Sequence, residues 1–161
     1  MLIIPVRQLS KGKRNPYHLL IQFTGKTAQG TKEDQNKAIL AYLDGNQVLY
    51  NNMSNDFKKS IATAREWSGL TREKIAEYAE IEVRHLDRVL KGEVQKTETV
   101  IRVLLAMRLP PMVTIHLLQV APCPWSLSAK KHAVYNWAIY SMDGCDVKEI
   151  MERLEELGYP L

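Results

Sequence analysis

The chain lacks the residue spacings of most catalytic and metal-binding sites. It has two cysteines, Cys123 and Cys145, which form no CxxC pair. Three of its histidines, His18, His116 and His132, have no metal-ligand partner at a useful spacing. There is no HExxH motif, no nucleophile elbow and no phosphate-binding loop. The sequence therefore predicts a protein that is not an enzyme and that holds no metal or cofactor.

Long apolar runs are also missing. No run approaches the roughly 20 residues that a membrane-spanning helix needs. The opening "MLIIPV" is too short for the apolar region of a signal peptide, and no cleavage site follows it. Two cysteines without a pairing pattern are typical of a reducing compartment. These absences predict a cytoplasmic protein with no membrane partner.

Charge is unevenly distributed along the 161 residues. The net charge is +4 and the pI is about 9.0, which is compatible with a nucleic-acid partner. Residues 1–30 contain five basic and no acidic side chains, whereas residues 112–161 contain four basic and six acidic ones. The basic excess therefore lies at the beginning of the chain.

Residues 1–53 differ from the rest in composition and are predicted to form a small α+β segment. "LIIPVRQL" and "YHLLIQFTG" have strand-like composition and flank the turn-rich "SKGKRNP", which predicts a β-hairpin. Its tip carries Lys11, Lys13 and Arg14, which form either a basic arm on DNA or a hairpin that contacts a partner protein. Thr31 is expected to cap a helix that ends at "DGN", with a short strand or a linker after it.

From residue 54 onward the pattern is helical. Residues 54–121 are predicted to form a five-helix domain, and residues 122–161 a C-terminal helical extension that is a candidate for dimerisation. Thr71, Thr97 and Ser128 are expected to cap helices, and Asp146 is expected to form a capping box with Glu149. Two further helices are expected to begin at about Asp56 and at Pro111. Trp125, Tyr135, Trp137 and Tyr140 are expected to pack in the core or at a dimer interface.

The stretch "GLTREKIAEYAEIEVRHLDRVLKG", residues 69–92, predicts two amphipathic helices joined by a tight turn. Ala76 is small enough for a close helix crossing, and Ile81 is an apolar plug for the turn. Leu86 and Val89 mark the buried face of the second helix. This is the pattern of a helix-turn-helix, in which the second helix enters a major groove.

Residues 57–111 resemble the helix-turn-helix of phage Cro and lambda-repressor-like regulators, also called the xenobiotic-response-element family. The resemblance is carried by "AREWSGLTREKIAEYAEIEVRHLDRVLKG" and by the following helix "TETVIRVLLAMRLPP". The positions that match are Arg65, Gly69, Leu70, Thr71, Glu73, Ala76, Ile81, Leu86 and Gly92. The terminus "LEELGYPL" is similar, more weakly, to a C-terminal extension of some bacterial members.

The resemblance implies a mainly α, lambda-repressor-like fold and sequence-specific binding of double-stranded DNA by a homodimeric transcriptional regulator, a repressor of bacterial or phage type. The helix over about residues 82–91 would enter the major groove. The implied base-reading residues are Val83, Arg84, Asp87 and Arg88. The implied phosphate contacts are Thr71, Arg72, His85 and Lys91.

Three acidic residues in this stretch are unfavourable for DNA binding. Glu80 occupies a turn position that is often Gly in this family, and Glu82 and Asp87 lie near the expected phosphates. The alternative is an antitoxin-like or adaptor module that keeps the same fold and binds a protein partner, at the N-terminal segment or at the acidic tail.

Overall fold

The computed structural model describes residues 31–161, which form eight α-helices and no strand within that range. The predicted hairpin and the arm residues Lys11, Lys13 and Arg14 lie outside the described residues. The helices are α1 (Lys32–Asn51), α2 (Phe57–Ser68), α3 (Arg72–Ala79), α4 (Val83–Leu90), α5 (Thr97–Ala106), α6 (Pro111–Val120), α7 (Lys130–Ser141) and α8 (Val147–Glu156). The mainly helical fold expected from residue 54 onward is confirmed.

Helix α1 begins where the sequence predicts and ends later than expected. The Thr31 hydroxyl accepts a hydrogen bond from the Asp34 N–H, and the Asp34 carboxylate accepts one from the Thr31 N–H. The expected end at "DGN" and the strand or linker after it were wrong, because the helix continues through Gly45 to Asn51. Glycine costs a helix only about 1 kcal/mol relative to alanine, and the burial of Asn46 and Leu49 favours continuation.

Most of the other predicted helix starts are confirmed. Asp56 and Thr71 cap α2 and α3 through their side-chain oxygens, and Glu149 closes a capping box with Asp146. Thr97 and Ser128 were wrong as caps, because the cap residues are Lys96 and Ala129. The Thr97 hydroxyl instead donates to the Pro124 carbonyl, and the Ser128 hydroxyl bonds to that of Ser126.

One apolar core joins the helices. Ile61, Ile75, Leu86, Ile101 and Leu104 have no exposed surface, and together they come from α2, α3, α4 and α5. Helix α3 packs most closely against α5, and α4, α6, α7 and α8 join the same core. The short helices α3 and α4 are therefore held by tertiary packing, which supplies most helical stability in proteins.

The C-terminal end is bonded to the helices before it. The Tyr135 hydroxyl donates to the Pro160 carbonyl at 3.1 Å, and the Arg102 guanidinium donates to the Leu161 carbonyl at 2.6 Å. Arg108, in the turn after α5, donates to the Asp146 carboxylate at 3.2 Å, and its guanidinium lies 5.6 Å from the ring centroid of Tyr78. These contacts connect the C-terminal helices to α3 and α5.

Glu80, in the turn after α3, adopts a left-handed backbone with φ of +53°. A Cβ in this region costs about 1–2 kcal/mol, and glycine avoids that cost while losing about 0.5–1 kcal/mol of chain entropy. We therefore expect Glu80→Gly to raise the free energy of unfolding by about 0.5–1 kcal/mol. Urea unfolding of the full chain measures this change.

Glu80→Ala is the matched control, because it removes the same carboxylate and keeps the Cβ. The alanine variant is expected to give less stabilisation than the glycine variant. Equal stabilisation by both variants would show that charge, and not the left-handed backbone, determines the cost at this position.

Candidate nucleic-acid interface

Helices α3 and α4 are joined by three residues, Glu80 to Glu82. The Ile81 N–H donates to the Ala76 carbonyl at 3.0 Å, which folds the chain back at the end of α3. Ala76 is 2% exposed and Ala79 has no exposed surface, so small residues line the underside of the joint. Ile81 is half-buried against the core, as expected for an apolar plug. The joint therefore fixes where α4 begins.

Helix α4 has one buried and one exposed face. Leu86 and Val89 are buried, whereas Arg84, Arg88 and Lys91 are exposed. Residues three and four apart share a face of a helix, so these three cations form one row. We call this row, with the half-buried Asp87 at its edge, the α4 face. Its four residues are among the DNA contacts that the resemblance implies.

Two of the cations around the α4 face are held by acidic partners. Arg72, the first residue of α3, contacts Asp87 with Nη1 and Oδ1 2.8 Å apart, and Arg88 contacts Glu93 with Nε and Oε2 2.8 Å apart. Exposed ion pairs of this kind contribute about 0–1 kcal/mol, so a phosphate can displace either acid at small cost. Asp87, which the resemblance implies as a base-reading residue, thus restrains an arginine.

Arg84 and Lys91 have no acidic partner within residues 31–161. Arg84 is the second residue of α4, and Lys91 follows its last residue. An unpaired guanidinium at the beginning of a helix is available for a bidentate contact with a flat acceptor such as guanine.

The remaining predicted site residues are bound into the fold. Val83 is half-buried against the core, and its side chain is only partly available to a ligand. His85 Nε2 lies 3.0 Å from Gln95 Oε1, so this half-buried ring contacts the loop after α4. The Thr71 hydroxyl accepts from the Lys74 N–H as the helix cap.

Sequence reasoning missed Glu93 and Gln95, the partners of Arg88 and His85. Both follow Gly92, which has a φ of +74° and turns the chain back along α4. A glycine at this position indicates the end of a helix. Because the chain then turns back along α4, the polar residues just after Gly92 could have been predicted to contact the side chains of α4.

Acidic residues surround the α4 face and reduce its positive electrostatic potential. Residues 71–93 contain five basic and six acidic side chains. Glu80 and Glu82 are exposed in the joint, next to the beginning of α4. Electrostatic attraction to phosphates, which supplies most non-specific DNA affinity, is therefore weak over this surface as a whole.

The other titratable and aromatic residues have structural contacts. His116 Nε2 bonds to the Ser54 carbonyl at 2.8 Å, and His132 stacks on Trp125 with ring centroids 5.1 Å apart. Burial raises the pKa of the half-buried Cys123 thiol, which makes it a weak nucleophile. In the part of the chain that the structure describes, His, Cys, Asp and Glu form no group suited to a metal ion.

The late aromatic residues divide into buried and exposed ones. Tyr135 is buried and Trp125 is half-buried, whereas Trp137 and Tyr140 are exposed on α7. Burial together with a hydrogen bond to Glu98 raises the pKa of the Tyr135 hydroxyl, which stays protonated. Over residues 31–161, no helix has the length and apolar character to cross a membrane.

Comparison with protein-family models, curated proteins and solved structures finds no match. The resemblance to Cro and lambda-repressor-like regulators therefore stays a prediction from the residues quoted above.

Proposed function

We propose that the protein binds double-stranded DNA in a sequence-specific manner through the α4 face, as a transcriptional regulator of the repressor type. The observation that carries this proposal is the exposed Arg84, which has no acidic partner among residues 31–161, at the beginning of a short helix whose opposite face is buried. Helix-turn-helix proteins contact base edges with the first residues of the second helix of the pair.

The contacts of the α4 face suggest a division of roles. Arg84 donates to O6 and N7 of guanine, and Arg88 reaches a neighbouring base after it leaves Glu93. Lys91 and Arg72 bind phosphates on either side, with Asp87 holding Arg72 in place before DNA arrives. Val83 offers a methyl contact to thymine, and Thr71 offers the beginning of α3 to a phosphate. His85, bonded to Gln95, contributes least.

Sequence specificity through one short helix requires two copies, because α4 spans too few base pairs alone. Paired half-sites in such complexes lie about 34 Å apart. The apolar stripe of α8 is only partly available for pairing, since Val147, Ile150 and Leu154 are buried within the same chain, whereas Met151 is half-buried and Leu157 is 42% exposed. A homodimer therefore needs more surface than this stripe.

A second candidate function is favoured by the acidic surroundings of the α4 face. Residues 71–93 contain six acidic and five basic side chains, and two of the arginines are in ion pairs. Such a mixed surface also suits a protein partner that has both acidic and basic side chains. The protein would then be an antitoxin-like or adaptor module. The two functions differ in their dependence on salt and on DNA sequence.

The proposal is tested by fluorescence anisotropy with duplexes selected from a random-sequence pool and with scrambled duplexes of equal length. We expect the native protein to prefer the selected duplex and to lose affinity as salt rises from about 50 to 200 mM. Arg84→Ala is expected to lower the preference by about 1–3 kcal/mol per half-site, because it removes a bidentate base contact.

Arg153→Ala is the matched control, since Arg153 is an exposed arginine on α8 that pairs with Glu156 of the same helix. It is expected to leave the preference unchanged. Both substitutions should change the free energy of unfolding by no more than about 0.5 kcal/mol, which urea unfolding checks. Failure of the native protein to bind any duplex at the lowest salt would overturn DNA binding in favour of the protein-partner function.

A further inference from the structure

Most of helix α1 extends from the core. Between Thr31 and Gln47, Asn46 alone is buried among the side chains described, and only Ile39, Tyr42 and Gly45 are half-buried. The helix contacts α6 near its end, where Leu49 is buried and the Tyr50 ring lies 5.9 Å from that of His116. Most helical stability in proteins comes from the packing of an amphipathic face and not from helix propensity. We therefore expect the exposed apolar side chains of α1 to be covered by a partner surface.

The extended part of α1 carries two exposed leucines, and an amide residue on either side continues their coiled-coil spacing. Asn36, Leu40, Leu43 and Gln47 are separated by four, three and four residues, which is the repeat of a heptad seam. Leu40 is 60% exposed and Leu43 is 47% exposed. We call these four residues the α1 stripe. The two leucines could form the apolar centre of a short helix-helix contact, with the asparagine and the glutamine at its ends.

The charged residues beside the α1 stripe, Lys37 and Asp44, indicate which surface would pack against it. If two copies of α1 pack antiparallel with Leu40 of each against Leu43 of the other, Lys37 of each copy lies beside Asp44 of the other. This gives two opposite-charge contacts related by the two-fold axis. A parallel arrangement would instead place Lys32 beside Lys37 of the second copy, which is repulsive. The complementarity therefore favours an antiparallel pair of identical helices.

We propose that the α1 stripe is the interface between two copies of this chain, which pack α1 against α1 in antiparallel orientation. The interface is isologous, as two-fold dimers require. The exposed pair Trp137 and Tyr140 on α7 is the main competing surface, but α7 carries Lys130 and Lys131 and no acid. Self-pairing of α7 would gain no opposite-charge contact. The α1 interface does not rest on DNA binding, and it is tested without DNA.

The test exchanges the two charges in separate full-length variants. Native protein is expected to be a dimer by sedimentation velocity and native mass spectrometry. Lys37→Asp alone and Asp44→Lys alone each place like charges across the interface and should weaken self-association by about tenfold. A one-to-one mixture of the two variants restores opposite-charge contacts, so we expect a heterodimer in excess of either homodimer.

Matched controls separate the interface from the stability of the helix. Lys37 also pairs with Glu33 within α1 at 3.1 Å, and Glu33→Gln removes that pair alone, so this variant should stay dimeric. Leu40→Gln is expected to dissociate the dimer, whereas Val48→Gln is not, because Val48 is 63% exposed on another side of α1. Circular dichroism verifies that each variant keeps its helical content.

Three results would overturn the proposal. The first is a native protein that is monomeric at every concentration. The second is a dimer that Trp137→Gln dissociates and Leu40→Gln does not. The third is a mixture of the charge variants that gains no heterodimer over a statistical distribution. Each of these results leaves DNA binding by the α4 face to be judged on its own measurement.

Discussion

We expect Leu86→Ala to lower the free energy of unfolding by about 2–5 kcal/mol. Leu86 has no exposed surface and sits between Arg84 and Arg88 in sequence, on the opposite side of the helix. Removing its buried side-chain carbons loses their transfer free energy and leaves a cavity into which the surrounding structure relaxes only in part. Because domains are stable by only about 5–15 kcal/mol, such a loss is large.

Urea unfolding followed by circular dichroism measures this change. Arg84→Ala, two positions earlier in the same helix, is the matched control and is expected to change stability by no more than about 0.5 kcal/mol. The two substitutions thus distinguish the contribution of the buried face of α4 to stability from that of its exposed face. A stability loss below about 1 kcal/mol for Leu86→Ala would mean that α4 is not held by the core in solution.

We expect Asp143→Asn to stabilise the protein at pH 7.5 and to have little effect near pH 4. Asp143 lies in the turn between α7 and α8, in a cleft lined by Leu105, Leu109, Ile139 and Ile150. Burial raises the pKa of its carboxyl from 3.8 to about 6, and a hydrogen bond from the Gly144 backbone opposes that rise only in part. The folded protein therefore holds the Asp143 proton more tightly than the unfolded chain does.

The sign of the pH dependence follows from this raised pKa. The contribution to stability is fully present below about pH 4 and is lost as the pH rises through about 6, because the folded state must then bury a charge. A two-unit shift corresponds to about 3 kcal/mol, and partial exposure reduces this to about 1–2 kcal/mol at pH 7.5. Asparagine has the same shape and no charge, so it removes the penalty.

Urea unfolding of both proteins at pH 4 and pH 7.5 tests the expectation. Asp146→Asn is the matched control three residues later, since Asp146 pairs with Arg108 at 3.2 Å. Neutralising that carboxylate should cost up to about 1 kcal/mol at pH 7.5, the opposite sign to Asp143→Asn. Equal stabilisation by Asp143→Asn at both pH values would show that its carboxyl is not the source of the pH dependence.

Several elements were predictable because their signals are short-range. Asp56 and Thr71 mark helix starts through a side-chain oxygen that reaches an N–H three residues later, which depends on no distant residue. The spacing of Leu86 and Val89 places both on one face, and both are buried. The same spacing placed Arg84 on the opposite, exposed face.

Other features depended on distant residues. Thr97 has the composition of a cap, yet its hydroxyl bonds to the Pro124 carbonyl, 27 residues away in the chain. Gly45 marks a helix end by composition, yet α1 continues because Leu49 finds a buried position near α6. Local propensities are worth about 1 kcal/mol or less per residue, so one buried apolar side chain outweighs them.

The sequence by itself determined the helical character of the chain from residue 54 onward, most helix starts, and which face of α4 is buried. Tertiary structure alone decided that Asp87 holds Arg72, that Glu93 holds Arg88, and that Val147, Ile150 and Leu154 of α8 are buried within the chain. The physical reason is the sequence distance over which each interaction acts. Periodicity and capping act over three or four residues, whereas ion pairs and shared cores depend on which helices meet.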